Sequence, residues 1–166
     1  MLDIVRNNPK SLTINFGGKR GRKIKQNYLA ITAESLLPDG SRVLKPVLAD
    51  LTPASTSYTF TDSRGLLYST QFAQPAILVF EAAVFGEMRS KGYVSRDAVY
   101  AGHSLGEYGA LSALSRFVPI GALAELAFYR GLMMQAAVDG QGGMTYGMVA
   151  ANPKRVGSCK FLMPHE

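Results

Sequence analysis

The hydrophobic pattern of the chain alternates between short apolar runs typical of strands and longer runs with helical spacing. Strands are predicted at 12–16, 97–102 and 144–151, and a hairpin is predicted around the turn at 61–65. Helices are predicted over 23–37, 75–91, 105–115 and 119–138. Because strands and helices alternate along the chain, we expect an α/β fold with a mainly parallel sheet.

Proline and glycine refine two of these predictions. Pro75 is expected at the first position of its helix, where a missing N–H is tolerated, and Gly92 is expected just after its end. This helix is apolar on most faces, which predicts burial on both sides. Residues 41–57 contain two prolines and no sustained period, and we expect irregular chain there.

A G-x-S-x-G pattern, typical of a nucleophile elbow, lies between the predicted strand at 97–102 and the helix that follows it. Gly102, Ser104 and Gly106 form the pattern, and small flanking residues suit a tight turn that lifts the serine hydroxyl to a helix N-terminus. There the Leu105 backbone N–H and the helix dipole would stabilise an oxyanion. Ser104 could instead be only the N-cap of that helix, but capping does not require both glycines.

A serine nucleophile needs a base, and the chain has two histidines. His103 precedes Ser104 directly, and neighbouring side chains on a strand point apart, so its imidazole is not expected to reach the hydroxyl. His165 lies in the last two residues, after the last predicted element. We therefore expect the general base to be missing from this chain.

Arg130 places a charge on an apolar helix. Its neighbours at helical spacing include Leu126, Ala127 and Met134. The guanidinium could extend to solvent, could pair with a carboxylate such as Glu107, or could bind a substrate carboxylate through two hydrogen bonds. The sequence leaves these alternatives open.

Length and composition restrict the class of protein. The 166 residues fit one domain or part of one, and no run approaches the roughly 18 apolar residues of a membrane span. Cys159 is the only cysteine, which favours a reducing compartment such as the cytoplasm. The net charge of +6 arises within residues 1–25. For the basic segment 17–25 we expect a solvated loop first, a contact surface for a partner or an anionic ligand second, and a nucleic-acid site last.

Four segments together resemble the malonyl-CoA:acyl carrier protein acyltransferases. They are TQFAQPAI at 70–77, AGHSLGEYGAL at 101–111, YRGLMMQAAV at 129–138 and GMVAANP at 147–153. Further segments, such as FGGKRGRKIKQNY and DLTPASTSYTF, are similar to the malonyl/palmitoyl transferase region of the fungal fatty acid synthase beta subunit, or of a sister synthase from a secondary-metabolite pathway. The resemblance implies an α/β-hydrolase-like acyltransferase core over 1–156, followed by a tail at 157–166 unlike the family.

The resemblance also implies roles for particular residues. Ser104 would carry the acyl group between coenzyme A and carrier-protein thiols, with the Leu105 amide in the oxyanion hole. Arg130 would hold the malonyl carboxylate, and Gln74 would line the pocket. Malonyl-CoA or palmitoyl-CoA, an acyl carrier protein and the rest of a fatty acid synthase would be substrates and partners. No metal, cofactor, nucleic acid or membrane is expected.

Two features of the family have no counterpart in the sequence. No Gly-Gln-Gly-Ser-Gln motif precedes Leu2, and the family's catalytic histidine belongs to a small ferredoxin-like subdomain further along the chain. The resemblance therefore predicts a core without its first strand and without that subdomain, inactive alone. Two alternatives stay open: a serine hydrolase, against which Glu107 and Arg130 argue, and a non-catalytic remnant or interaction fragment.

Overall fold

The computed structural model describes residues 2–37, 39–114 and 118–139, and the predicted strand at 144–151 lies outside these ranges. The described chain contains five helices and four strands. In chain order they are α1 (Leu2–Asn7), β1 (Ser11–Asn15), α2 (Gly18–Leu29), β2 (Thr32–Leu36), β3 (Arg42–Pro46), β4 (Ser57–Thr61), α3 (Thr70–Ser90), α4 (Leu105–Ala113) and α5 (Ile120–Asp139). A short 3₁₀ turn, Leu66–Tyr68, precedes α3.

The strands form two small antiparallel sheets rather than one parallel sheet. Strand β1 pairs with β4, with Ser11 opposite Thr61, and β2 pairs with β3, with Thr32 opposite Pro46. The fold is therefore mixed α/β as expected, but within the described residues the predicted hydrolase-like parallel sheet is not confirmed. Residues 97–102 form no strand there, since a strand needs a partner and Val99 is 94% exposed.

Three further predictions about local structure were wrong. The helix predicted over 23–37 ends at Leu29, and β2 and β3 form a hairpin in which Ser41 donates to Asp39 Oδ1. Strand β3 also lies within the stretch expected to be irregular. The predicted hairpin around 61–65 does not form, because β4 finds its partner in the distant β1.

The basic segment lies on α2 and is not the solvated loop that the charge pattern favoured. Its helix packs inward at Gly21, where a Cβ would overlap the main chain of Phe16. Lys25 also turns inward, and its Nζ donates to the carbonyl oxygens of Pro53 and Ser55 at 2.7 and 3.1 Å. The other basic side chains of the helix are exposed.

Helix α3 begins five residues before Pro75, so this proline lies inside the helix rather than at its first position. Most residues in the first half of α3 are buried or half-buried, and Leu78 is fully buried, although Ile77 is 47% exposed. In the second half Phe80 is 67% exposed and Met88 is 43% exposed, so the expectation of burial on both sides is wrong for this half within the described residues. The helix predicted at 119–138 is confirmed as α5, within one residue at each end.

Two clusters of buried side chains hold the described elements together. The larger, here called the aromatic core, comprises Ile4, Phe16, Tyr28, Leu48, Leu51, Phe60, Leu66, Phe72 and Leu132, with Phe128 and Tyr129 packed against it. Its rings meet mostly edge to face, as between Phe60 and Phe72 at 5.4 Å. The smaller, here called the elbow core, comprises Leu78, Leu123 and Ala127, against which Leu105, Tyr108 and Val118 pack. Helices α3 and α5 contribute to both cores.

Candidate active site

Ser104 lies at a sharp turn directly before α4, as the G-x-S-x-G pattern predicts. Its φ of 57° and ψ of −111° lie in a region that residues with a side chain rarely adopt. Gly102 makes the turn sterically feasible, because a Cβ on it would overlap the main chain of Gly106 and Glu107. The predicted turn followed by a helix is confirmed, but residues 97–102, directly before the turn, form no strand.

Backbone N–H groups at the start of α4 face the turn. The Ser104 N–H donates to Glu107 Oε1 at 3.2 Å, so this carboxylate caps the helix and holds the serine backbone. Leu105 is the first residue of the helix, and its N–H has no acceptor among the described residues. A free N–H beside the serine, at the positive end of a helix, is suited to stabilise an oxyanion.

Arg130 of α5 reaches the serine hydroxyl. Its Nη2 donates to Ser104 Oγ at 2.7 Å, and its Nη1 donates to Gln74 Oε1 at 2.5 Å. The structure therefore brings together three residues that span 56 positions of the sequence. A guanidinium in contact with the hydroxyl favours negative charge on that oxygen.

Gln74 fixes the guanidinium from the buried side of the site. It is only 7% exposed, and its Nε2 donates to the Met134 sulfur at 3.3 Å while its Oε1 accepts from Arg130. Because both ends of the amide have partners, the side chain has one preferred orientation. Gln74 thus contacts the Arg130 side chain directly.

The aromatic ring of Tyr108 completes the surroundings of the guanidinium. The Arg130 Cζ lies 5.7 Å from the ring centroid, which is within the range of a cation–π contact. Sequence reasoning did not identify Tyr108 or Met134 as part of the site. Helical spacing was the available signal, because Tyr108 lies four positions after Ser104 and Met134 lies four positions after Arg130.

Within the described ranges, no carboxylate lies within ion-pair distance of Arg130. Glu107, the candidate partner from the sequence, is bonded to the Ser104 N–H instead. The guanidinium is also not simply directed to solvent, since two hydrogen bonds and a ring hold it. A partly buried cation with neutral partners retains the capacity to bind an anion.

The described residues hold no imidazole in contact with the serine. His103 is exposed, and no hydrogen bond joins its ring to Ser104, in agreement with the sequence argument. His165 lies outside the described residues. The arrangement therefore supplies a hydroxyl, an oxyanion donor and a cation.

One cavity of the described chain lies away from Ser104. It measures about 770 Å³ and lies between the two sheets and the C-terminal half of α5, lined by Glu34, Lys45, Phe60, Gln71 and Gln135 among others. Ser104 itself is exposed. Among the described helices, none combines the length and apolar character needed to cross a bilayer.

Comparison with known proteins shows the family of this chain. Residues 1–158 match the acyl transferase domain family. The matched range includes the elbow, Gln74 and Arg130. The chain therefore belongs to the acyl transferase domain family.

Proteins similar to this chain include beta subunits of fungal fatty acid synthases. The chain is 73% identical to the fatty acid synthase beta subunit pkiC of Emericella nidulans over 81% of its length, and 56% identical to the beta subunit pigK of Monascus ruber over 95%. It is 48% identical to the fatty acid synthase subunit beta of Saccharomyces cerevisiae over 94%. The chain spans only 7 to 8% of the length of these relatives.

Proposed function

We propose that this region transfers acyl groups from coenzyme A thioesters to the thiol of an acyl carrier protein, through an ester on Ser104. The observation that carries the proposal is the contact between Ser104 Oγ and a guanidinium that has no carboxylate partner among the described residues. Membership of the acyl transferase domain family supports it independently.

The proposed reaction uses the elbow in two symmetrical steps. Ser104 Oγ loses its proton to a base and attacks the thioester carbonyl, and the negative charge that develops on the carbonyl oxygen is stabilised by the Leu105 N–H. The carbon–sulfur bond then breaks, the departing coenzyme A thiolate takes up the proton from the base, and an acyl ester remains on the serine. In the second step a carrier-protein thiol gives its proton to the base and attacks this ester. The bond between the carbonyl carbon and Ser104 Oγ breaks, and the base returns the proton to the serine oxygen.

The position of Arg130 favours an acyl group with a carboxylate close to its carbonyl. The guanidinium is one hydrogen bond from the attacking oxygen, so it can reach a carboxylate that is separated from the carbonyl by a single carbon, as in a malonyl group. A palmitoyl group has no carboxylate. During palmitoyl transfer the guanidinium would keep its protein partners, Gln74 and Tyr108.

The names of the relatives suggest the setting of this activity. They are fatty acid synthase beta subunits, and we propose that the chain acts within such a complex in the cytoplasm, on malonyl or palmitoyl groups. Coenzyme A thioesters would be substrates, so the proposed reaction needs neither a metal nor a further cofactor.

Formation of the serine ester tests the proposal directly. The purified chain is incubated with malonyl-CoA, alone and together with the polypeptide that follows the matched region in the Emericella nidulans relative, as a source of a base. Intact mass and peptide mapping should locate one malonyl group on Ser104. Ser104→Ala is the matched control and should carry no label.

The fate of the ester distinguishes transfer from hydrolysis. Addition of a carrier protein should move the label to its thiol faster than water releases malonate. Release of malonate at the same rate with and without carrier protein would favour a serine hydrolase. An unlabelled Ser104 in both preparations, in a chain that circular dichroism shows to be folded, would contradict the proposal and favour a non-catalytic fragment.

A further inference from the structure

Gly131 of α5 lies against the first turn of α3 with no room for a side chain. A Cβ on Gly131 would lie 2.5 Å from the Thr70 carbonyl oxygen and 2.6 Å from the Gln71 Cα. Both neighbours are main-chain atoms, so no change of rotamer can relieve the overlap. The absence of a side chain at Gly131 therefore sets the separation of the two helices at this point.

This close contact lies directly beside the candidate active site. Arg130 is the preceding residue of α5, and Gln74 lies one turn beyond Thr70 on α3. The 2.5 Å hydrogen bond from Arg130 to Gln74 spans the same two helices. If α5 moved outward by about 1 Å and the side chains stayed as they are, this distance would grow to about 3.5 Å, which is too long for a good hydrogen bond.

A second hydrogen bond spans the helices on the other side of Gly131. The Thr70 N–H donates to Gln135 Oε1 at 3.2 Å, and this donor is one of the first N–H groups of α3, which have no acceptor within the helix. Glycine inside a helix destabilises it by about 1 kcal/mol relative to alanine. The close seating of α5 on α3 is the structural gain that offsets this cost.

We propose that Gly131 is a positioning residue that seats α5 on α3 so that the Arg130 guanidinium reaches both Gln74 and Ser104. The kinetic consequence rests on the proposed function, because Arg130 would contact the carboxylate of the malonyl group. An added methyl group at residue 131 should displace Arg130 without removing its charge. A misplacement of about 1 Å can cost roughly a hundredfold in rate.

Two alanine substitutions in the same helix test this role. Gly131→Ala should lower malonyl transfer by roughly a hundredfold, mainly through a higher KM. Transfer of an acetyl group, which has no carboxylate, should change much less. Gly121→Ala is the matched control, because a Cβ there would meet nothing within 4 Å, and it should behave like the unchanged chain.

A double substitution distinguishes positioning from general damage. If Gly131 acts through Arg130, Gly131→Ala in an Arg130→Ala background should change the ratio of malonyl to acetyl transfer by less than about twofold. An equal loss with both acyl groups would overturn the proposal. So would a Gly131→Ala chain that does not fold by circular dichroism, since the glycine would then serve packing in general.

A structural measurement keeps the test independent of transferase activity. A crystal structure of Gly131→Ala should show the Arg130 Nη1 to Gln74 Oε1 bond broken, whereas Gly121→Ala should retain it. If the unchanged chain transfers no acyl group even together with the polypeptide that follows the matched region in the Emericella nidulans relative, the proposed function fails and this distance still decides the role of Gly131. An intact bond in Gly131→Ala would overturn the inference.

Discussion

The aromatic core and the elbow core both pack against helices α3 and α5, but they differ in how many buried residues they contain. Nine buried residues from most elements of the described chain build the aromatic core, and its rings meet one another closely. Three buried residues build the elbow core, and beside it α3 presents Phe80 and Val84 to solvent. More buried apolar area means more stabilisation, so the aromatic core should dominate the free energy of folding.

The site residues lie where the two cores meet. On α3, Gln74 lies between Phe72 of the aromatic core and Leu78 of the elbow core. On α5, Arg130 lies between Ala127 of the elbow core and Leu132 of the aromatic core. Ser104 belongs to the elbow side alone. Changes in the aromatic core should therefore lower global stability, whereas changes at the elbow should alter the site at a smaller cost in stability.

The largest effect is expected from truncating an aromatic ring in the larger core. Phe72→Ala should lower the free energy of unfolding by about 3 to 5 kcal/mol, because it removes a ring that is 97% buried and leaves a cavity. Phe80→Ala on the same helix removes a ring that is 67% exposed, and it should change the free energy of unfolding by less than about 0.5 kcal/mol. Urea unfolding measures both, and similar losses would contradict the ranking of the two cores.

High pH should weaken the aromatic core without any substitution. Burial, with smaller contributions from Tyr129 and Glu125, raises the pKa of Tyr28 from its ordinary value of 10.0 to about 12. The unfolded chain therefore loses this proton at a pH where the folded chain keeps it. The stabilisation is fully present below pH 10 and is lost as the pH rises towards 12, by up to about 2 kcal/mol after partial solvent screening.

Tyr28→Phe is the control for this alkaline effect. Burial also raises the pKa of Tyr58 and of Tyr129, so the substitution should reduce the alkaline loss rather than abolish it. Unfolding in urea at a series of pH values between 8 and 11 measures the slope. An identical pH dependence in both chains would show that Tyr28 ionises as easily when folded as when unfolded.

The elbow should respond to a single methyl group. Gly102→Ala overlaps the main chain of Gly106 and Glu107, and overpacking of this kind typically costs about 1 to 3 kcal/mol. Labelling of Ser104 by malonyl-CoA should fall further than this loss of stability explains. Gly86→Ala, in α3 with nothing within 4 Å of its Cβ, should be neutral or stabilising and should label normally. Normal labelling of Gly102→Ala would show that the turn tolerates a side chain.

The sequence predicted those parts of the fold that depend on local signals. Pro119 and the helical pattern after it placed α5 within one residue, and the two glycines around Ser104 identified the elbow. Pairing between distant segments was not predictable in this way. Strand β4 appears in the pattern as half of a local hairpin, and its true partner β1 lies about 46 positions earlier. Register between remote strands is set by tertiary packing rather than by turn residues.

The prediction of the site residues divides in the same way between local signals and contacts that distant segments make. Residue types and the resemblance to acyltransferases singled out four residues: Ser104, Leu105, Gln74 and Arg130. In the structure the Arg130 side chain contacts the side chains of both Ser104 and Gln74. The choice among the roles of Arg130 depended on whether a carboxylate lies near it in space, which no local pattern reveals. Tyr108 and Gly131 were missed because their importance arises from the approach of another element.

The smallest effect concerns the carboxylate that holds the serine backbone. Glu107→Ala removes the acceptor of the Ser104 N–H and a favourable charge in the first turn of α4, and should cost about 1 kcal/mol. Glu107→Gln retains an acceptor oxygen and should recover about half of this loss. Because the bond holds a residue of positive φ, labelling of Ser104 should slow more in Glu107→Ala than in Glu107→Gln. Equal stability and equal labelling in the two variants would mean that Glu107 acts on the elbow only through its charge.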